Sequence, residues 1–583
     1  MEKRVETLLA GMSTEQKLAQ MMIVTLRAGD NTKSVTKLST AYAKLLKKYD
    51  FGGVILFGGN IVDTEQTVTL IHDIQAAAVK SKPGIPMFIC VDQEGGMVNR
   101  VSFGTTGSGN MALAATGDVA LTEESADILG QEIRALGFNM DFAPVADVNN
   151  NPENPVIGVR SFSDDPQLVA QHVTAFQKGL KKNGICATLK HFPGHGNVGE
   201  DSHTHLPSSN LTLEELRSCE LLPFQAGIDA SAEMIMTAHI QYPEIERGTY
   251  VSIQDGKKVY LPATLSRTII TGLLREEMGF EGVVVTDAME MDAIAAHFDP
   301  TDAAVLAINA DVDMLLCAVN IYQDEEIDLL PAADAYMKRL LARVEAGEIP
   351  EEELNNSVSR ILKLKIESGI MDQTYSEPVE KQIDRAKAVV GSAEHHTREW
   401  EIAQRGMTLL KNENTMLPLD GKSGRKTLIL IPTETRRPTV EYALSRLESE
   451  DLLDASTVTV LCYSELSPED EELNKALKTS SQVLILSQST EQNPLLCEVI
   501  RQVHKSKDGR VALLSLNLPY DAASYEDADA ILCAYNPYGS AHDAEGNGPF
   551  NLNVAVALCT AFGQSVPQGT LPVKTGDSPL SRK

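Results

Sequence analysis

The sequence predicts an α/β protein of two domains: a (β/α)8 TIM barrel followed by a smaller, doubly wound α/β sandwich. Three observations carry that prediction. Eight short apolar runs recur in the first two-thirds of the chain, each followed by a helix-like stretch. Past a polar, helical stretch the alternation restarts on a smaller scale. And 583 residues exceed what one hydrophobic core organises, so more than one domain is required.

The eight runs are Met21–Thr25, Gly53–Phe57, Met87–Val91, Met140–Val145, Ala187–Leu189, Met234–Ala238, Val283–Thr286 and Met314–Cys317. Short apolar runs without polar alternation suit parallel strands buried on both faces. Between them lie amphipathic stretches such as Thr122–Leu136, Gln167–Lys182, Leu213–Ala230 and Ser266–Met278. Ser13 with Gln16 three residues on is a capping-box signal for an opening helix. Eight strand–helix units in series close into a barrel. Residues 1–372 are assigned to it, which exceeds the usual ~250 and requires loop insertions.

Residues 373–404 read as a linker helix region, polar and charged, with Pro378 near its start. Residues 405–583 read as the second domain. Its strand-like runs are Thr427–Ile431, Val458–Cys462, Val483–Leu486, Val511–Leu516 and Ala530–Ala534, and their helical spacers predict a mainly parallel sheet.

Composition excludes several function classes. The formal net charge of -30, from 51 basic and 81 acidic residues, repels nucleic acid and anionic membrane. The eight cysteines are scattered without a CxxC pair, so buried free thiols are expected rather than a disulfide frame or a zinc site. No apolar stretch is long enough to span a bilayer. The opening Met1-Glu2-Lys3-Arg4-Val5-Glu6 carries no signal-peptide core. A cytoplasmic protein is therefore expected, with a secreted, processed one as the alternative. Gly421-Lys422-Ser423 resembles the end of a phosphate loop and Gly546-Asn547-Gly548 a fragment of another. Neither has the strand–loop–helix context that such loops need, so both are read as turns.

Functional side chains of a barrel cluster at the C-terminal ends of its strands. After Met87–Val91 come Asp92 and, further on, Arg100. After Ala187–Leu189 come Lys190 and His191, after Met234–Ala238 His239, and after Val283–Thr286 Asp287. Rim salt bridges explain any one of these, but four strands ending in charge point to a ligand. A carboxylate at the position of Asp287 can attack an electrophilic carbon; its bland alternative is a helix N-cap. Asp201-Ser202-His203 offers a His–Asp proton-transfer pair if residues i and i+2 share a side; the alternative is a surface turn. His191 and His195 are spaced i, i+4, as metal ligands on a helix would be. Pro193 and Gly194 lie between them and break such a helix, so no metal and no cofactor is expected.

Together these segments resemble a known family. Lys190-His191-Phe192-Pro193-Gly194-His195-Gly196, then Asp201-Ser202-His203 and Leu206-Pro207, and Val285-Thr286-Asp287 are similar to glycoside hydrolase family 3, in particular its β-N-acetylglucosaminidase branch. Asp92-Gln93-Glu94-Gly95-Gly96 with Arg100, and Gly158-Val159-Arg160-Ser161-Phe162, stand in the expected order. So do Arg405-Gly406 to Asn412 and Gly569-Thr570-Leu571-Pro572-Val573 of the second domain. The resemblance implies that Asp287 is the nucleophile, that His203 oriented by Asp201 is the acid/base, and that Asp92, Arg100, Arg160, Lys190 and His191 bind the sugar. It implies a retaining enzyme that removes terminal β-linked GlcNAc from a small glycoside such as a peptidoglycan fragment. The alternatives are a β-N-acetylglucosaminide phosphorylase, and a β-glucosidase or xylosidase of the same family. From other classes, a non-catalytic sugar-binding protein and a metallohydrolase compete. Pro193, Gly194, Gly196 and Gly199 are expected to act as hinges of a loop that closes over the sugar. No nucleic acid, membrane span or protein partner is implied, and the oligomeric state is left open.

Overall fold

A computed structural model describes residues 1–28, 33–318, 322–323, 329–373, 375, 377–489, 491–505, 509–537, 541–542 and 549–575. By its own contacts the chain forms two compact units. The first comprises 1–93, 126–157 and 169–392; the second comprises 94–125, 158–168 and 393–583.

The first unit is built on eight strands: β1 Met22–Thr25, β2 Gly53–Ile55, β3 Phe88–Val91, β4 Met140–Asp141, β5 Cys186–Phe192, β6 Met234–Thr237, β7 Val283–Val285 and β8 Leu315–Leu316. Every pair is parallel, in the order β7-β6-β5-β4-β3-β2-β1-β8. A single bridge from Val285 to Met314 joins β7 to the start of β8 and closes the barrel. All strand residues of β1 to β7 are buried, as covering both faces of a parallel sheet demands. The (β/α)8 prediction therefore holds, with each strand where its apolar run lies.

The local differences have physical causes. β4 is two residues long because Pro144, which has no N–H to give the ladder, follows closely. β5 runs on past its apolar stretch, so Lys190 and His191 are strand residues, covered on both sides. The predicted helix Leu213–Ala230 is two helices, Leu213–Ser218 and Leu221–Asp229. Pro223, third in the second helix, cannot donate back across the break at Cys219. The stretch Thr268–Glu277 winds as a π-helix, which amphipathic spacing does not distinguish from an α-helix. The capping box is formed: Gln16 N donates to Ser13 Oγ and Ser13 N to Gln16 Oε1.

The second unit is built on β9 Thr408–Asn412, β10 Thr427–Ile431, β11 Val458–Cys462, β12 Gln482–Ser487, β13 Arg510–Ser515 and β14 Ala530–Cys533. Their order is β9-β14-β13-β12-β10-β11, with β9 antiparallel and the rest parallel. Helices cover both faces: one cluster contains Trp400, Leu447 and Val556, the other Leu473, Val499 and Tyr525. The edge strand β9 escaped the sequence reading because it is half-buried, bulged between Leu409 and Lys411, and carries no apolar run. Segments 94–125 and 158–168 also join this unit, where Met111, Ala112, Ala115 and Val159 pack with Leu518, Tyr535 and Val573.

The Gly421-Lys422-Ser423 segment is a turn. Asp420 Oδ1 accepts from Lys422 N at 3.1 Å and Ser423 N at 3.0 Å, so a carboxylate occupies the place a phosphate would need. Gly546-Asn547-Gly548 lies outside the described residues. All eight cysteines are free, six of them buried. No helix among the described residues is long and apolar enough to cross a membrane.

Candidate active site

The barrel ends its strands on a charged cluster. Asp92 follows β3 directly and accepts from Lys190 Nζ at 2.9 Å. Lys190 is almost wholly buried, and a buried ammonium requires such a partner.

The next residue, His191, is joined by a cis peptide and belongs to a different set of contacts. Its backbone N–H and its ring Nδ1 both meet the Asp147 carboxylate, at 3.1 and 2.7 Å, and His195 N donates to the same carboxylate at 2.7 Å. Because a carboxylate at neutral pH only accepts, Nδ1 of His191 carries the proton and Nε2 is left to face outward. Asp147 is fully buried. Burial would raise its pKa, but the charge and hydrogen bonds of His191 outweigh that and hold it below the usual range. Asp147 was missed in the sequence. The signal available was its place a few residues past β4, in Pro144-Val145-Ala146-Asp147, the same strand-end rule that found Asp92.

Asp287 stands two residues beyond β7. It does not cap a helix: the next helix, Asp292–Ala295, has Met291 at its N-cap. Its Oδ1 instead accepts from the N–H of Ala288 at 2.7 Å. The segment is pinned on both sides, by Thr286 N to Met314 O and Met289 N to Leu316 O, and by His239 Nε2 to Ala288 O at 3.1 Å. Burial works against ionisation of Asp287, but the charges of His191 and His239, the Ala288 N–H and Lys190 hold its carboxyl below the usual range. The result is an ionised carboxylate, partly accessible, with no salt-bridge partner within bonding distance among the described residues. That is the state a nucleophile needs.

Asp201 and His203 are brought together in a tight turn rather than an extended segment. Asp201 Oδ1 accepts from His203 N at 2.8 Å and lies 2.8 Å from His203 Nδ1. Thr204 N and His205 N donate to the Asp201 carbonyl. Burial would raise the Asp201 carboxyl, but these His203 contacts hold it low. The His203 side chain is 60% exposed, so Nε2 is available for proton transfer.

Arg160 and Arg100 belong to the second unit. Arg160 forms a two-pronged pair with the buried Glu94, Nε to Oε2 at 2.9 Å and Nη2 to Oε1 at 2.7 Å. Arg100 is half-buried on segment 94–125.

Gly194 and Gly196 of the Pro193–Gly199 loop sit in closely packed surroundings. A Cβ on Gly196 would lie 1.7 Å from the Val148 carbonyl oxygen, and one on Gly194 2.5 Å from Glu220 Cγ. Asn154 Nδ2 donates to the carbonyls of His195, Gly196 and Val198. These glycines permit close packing. His195 is buried, and burial first, then the neighbouring His191, pushes it down to about 4. Among the described residues no three His, Cys, Asp or Glu side chains are grouped to hold a metal ion.

The Glycosyl hydrolase family 3 N terminal domain profile matches residues 13–364. Beta-hexosaminidase A of Pseudoalteromonas piscicida is 33% identical over 604 residues, covering 96% of this chain and 97% of that protein. A beta-N-acetylglucosaminidase/beta-glucosidase of Cellulomonas fimi is 29% identical over 425 residues, 73% of this chain and 69% of that one. The solved family 3 beta-N-acetylglucosaminidase from Paenibacillus sp. str. FPU-7 superposes with a TM-score of 0.80 at 31% identity, covering 97% of this chain and 99% of that one. With a barrel of this topology and charged groups at its strand ends, these matches make the protein a glycoside hydrolase: the chain belongs to glycosyl hydrolase family 3, in its β-N-acetylglucosaminidase branch.

Proposed function

We propose that the protein is a retaining exo-β-N-acetylglucosaminidase that releases terminal β-linked GlcNAc from small glycosides, peptidoglycan fragments among them. The observation that carries this reading is Asp287: a carboxylate held below the usual range by His191, His239, the Ala288 N–H and Lys190, and used neither as a helix cap nor, among the described residues, in an ion pair. The names of the Pseudoalteromonas and Paenibacillus relatives support GlcNAc as the sugar.

In this mechanism Asp287 attacks the anomeric carbon while the leaving oxygen takes a proton from His203, giving a covalent glycosyl-enzyme. His203 then takes a proton from water, which attacks the same carbon and frees Asp287. Asp201, bonded to Nδ1, fixes the tautomer that presents Nε2. Each such proton transfer is worth about 10²–10⁴-fold in rate. Asp92 and Lys190, already paired, bind sugar hydroxyls, and His191, aimed by Asp147, accepts from one at Nε2.

A panel of aryl β-glycosides of GlcNAc, glucose and xylose, run with and without inorganic phosphate, tests the reading. GlcNAc should be released fastest, as the β-anomer, independently of phosphate. A phosphate-dependent sugar phosphate would mean a phosphorylase, faster release of glucose or xylose would mean a different specificity, and an α-anomer released first would overturn retention.

A further inference from the structure

His195 takes no part in the chemistry above, yet it is buried and bonded through both its backbone and its ring. Its N–H is bound to Asp147 at 2.7 Å, its carbonyl to Asn154 at 2.8 Å, and its ring meets His191 edge-on at 5.6 Å. The residue is 2% exposed. One polar ring atom reaches out of this setting: Nε2 lies 3.0 Å from Ser202 Oγ. The other, Nδ1, meets no hydrogen-bond partner. An unpartnered lone pair costs less than an unpartnered N–H, so the ring's proton belongs on Nε2 and donates to the serine.

Ser202 is the middle residue of Asp201-Ser202-His203. It is 2% exposed, while its two neighbours face solvent. The remaining hydrogen bonds of residues 201–205 are internal: His203 to Asp201, and Thr204 and His205 to the Asp201 carbonyl. The turn is thus a small rigid body that carries its own His–Asp pair. Among the described residues, its one side-chain hydrogen bond to the rest of the barrel is the one between Ser202 and His195.

We propose that His195 is a positioning residue that seats the Asp201–His203 pair through the buried Ser202 hydroxyl. The proposal rests on the reading of His203 as acid/base. The internal bonds set the geometry of the pair, and the His195–Ser202 bond sets where the pair stands relative to the immobile strand end of β5. Proton donation tolerates little displacement: about 1 Å can cost about 10²-fold. Attack by Asp287 does not depend on this tie, because Asp287 is held by β8 and His239.

Leaving-group dependence is a readout that a merely structural role would not move. In Ser202→Ala, kcat/KM should fall about tenfold or more for alkyl or sugar aglycones, which need a proton, and hardly change for a dinitrophenyl aglycone, which does not. Ser202→Thr, which keeps the hydroxyl, should restore the poor leaving groups. His195→Phe should behave as Ser202→Ala; if it does not fold, the serine variants stand alone. His203→Ala separates the two hypotheses. Equal losses on both aglycones in His203→Ala overturn the acid/base reading itself. Discrimination in His203→Ala with equal losses, or none, in Ser202→Ala overturns the positioning role and leaves the acid/base reading intact.

Discussion

The barrel and the sandwich both end their parallel strands on polar side chains, yet they treat a buried carboxyl in opposite ways. At the barrel's strand ends Asp147 and Asp287 are held below the usual carboxylate range: His191 outweighs the cost of burial for Asp147, and His191, His239, the Ala288 N–H and Lys190 together do so for Asp287. At the sandwich's strand ends Asp521 is also fully buried, but its partners are hydroxyls. Ser515 Oγ, at the end of β13, donates to Oδ1 at 2.5 Å, and Oδ2 has no partner. Burial pushes that carboxyl up to about 7, against the smaller pull of Ser515 and Ser487. The strand-end rule places polar groups in both units. Whether they become reactive charge is decided by the cations placed among them.

Each side of this contrast can be broken by substitution. Asp287→Asn removes the one charge that the surrounding cations keep available. It should lower kcat on an aryl β-GlcNAc by about 10⁴-fold; a variant keeping a tenth of its activity would remove Asp287 from the nucleophile's role. Asp147→Ala strips the partner from a buried imidazole and two backbone N–H groups, and should cost about 3–5 kcal/mol of stability. The single tryptophan, Trp400, lies in the core of the second unit. The loss should therefore appear as a circular-dichroism transition that runs ahead of the Trp400 fluorescence transition in urea.

Opposite pH dependences sharpen the comparison. The carboxyls of Asp147 and Asp287 have lowered native values, so their contribution is present above the ordinary value of about 4 and is lost as pH falls through the native values. Asp521 keeps its proton in the native state up to about 7, so its contribution is present at low pH and is lost as pH rises through about 7. Asp521→Asn should accordingly raise the Trp400 unfolding midpoint clearly at pH 8, less at pH 5, and hardly at all below the ordinary carboxyl value of about 4. A gain of equal size at pH 8 and pH 5 would mean that Asp521 is not the titrating group. The smallest effect is that of Ser515→Ala, which removes the Oδ1 hydrogen bond and should cost about 1 kcal/mol in the same assay.

Legibility followed residue type. Strands whose side chains are mostly apolar were read at the right place, as Thr427–Ile431 and Val458–Cys462 were to the residue. β5 was read short because Lys190 and His191 interrupt its pattern, although both are as buried as their neighbours. The interruption was itself the signal of a site, since a buried charge inside a strand needs a partner from elsewhere. That partner, Asp147, was only partly legible: the strand-end rule reaches its position, but its bond to His191 spans two strands, and nothing local in Val145-Ala146-Asp147 shows that it holds a histidine. The close packing of Gly194 and Gly196 was hidden for the same reason. Composition shows that Gly196 can bend; only the nearness of Val148 shows why no side chain fits there.

By itself the sequence determined the two α/β units, the strand positions and the identity of the charged strand-end residues, because burial on both faces writes itself into consecutive apolar residues. Tertiary structure alone decided that segments 94–125 and 158–168, with Arg100 and Arg160, pack into the second unit. It alone decided that Asp287 has Lys190, two imidazoles and an N–H around it while Asp521 has hydroxyls, and that His195 bonds Ser202. These are contacts between residues far apart along the chain, or fixed by a turn. Their energies depend on distance and burial in space, which no local pattern of residue types encodes.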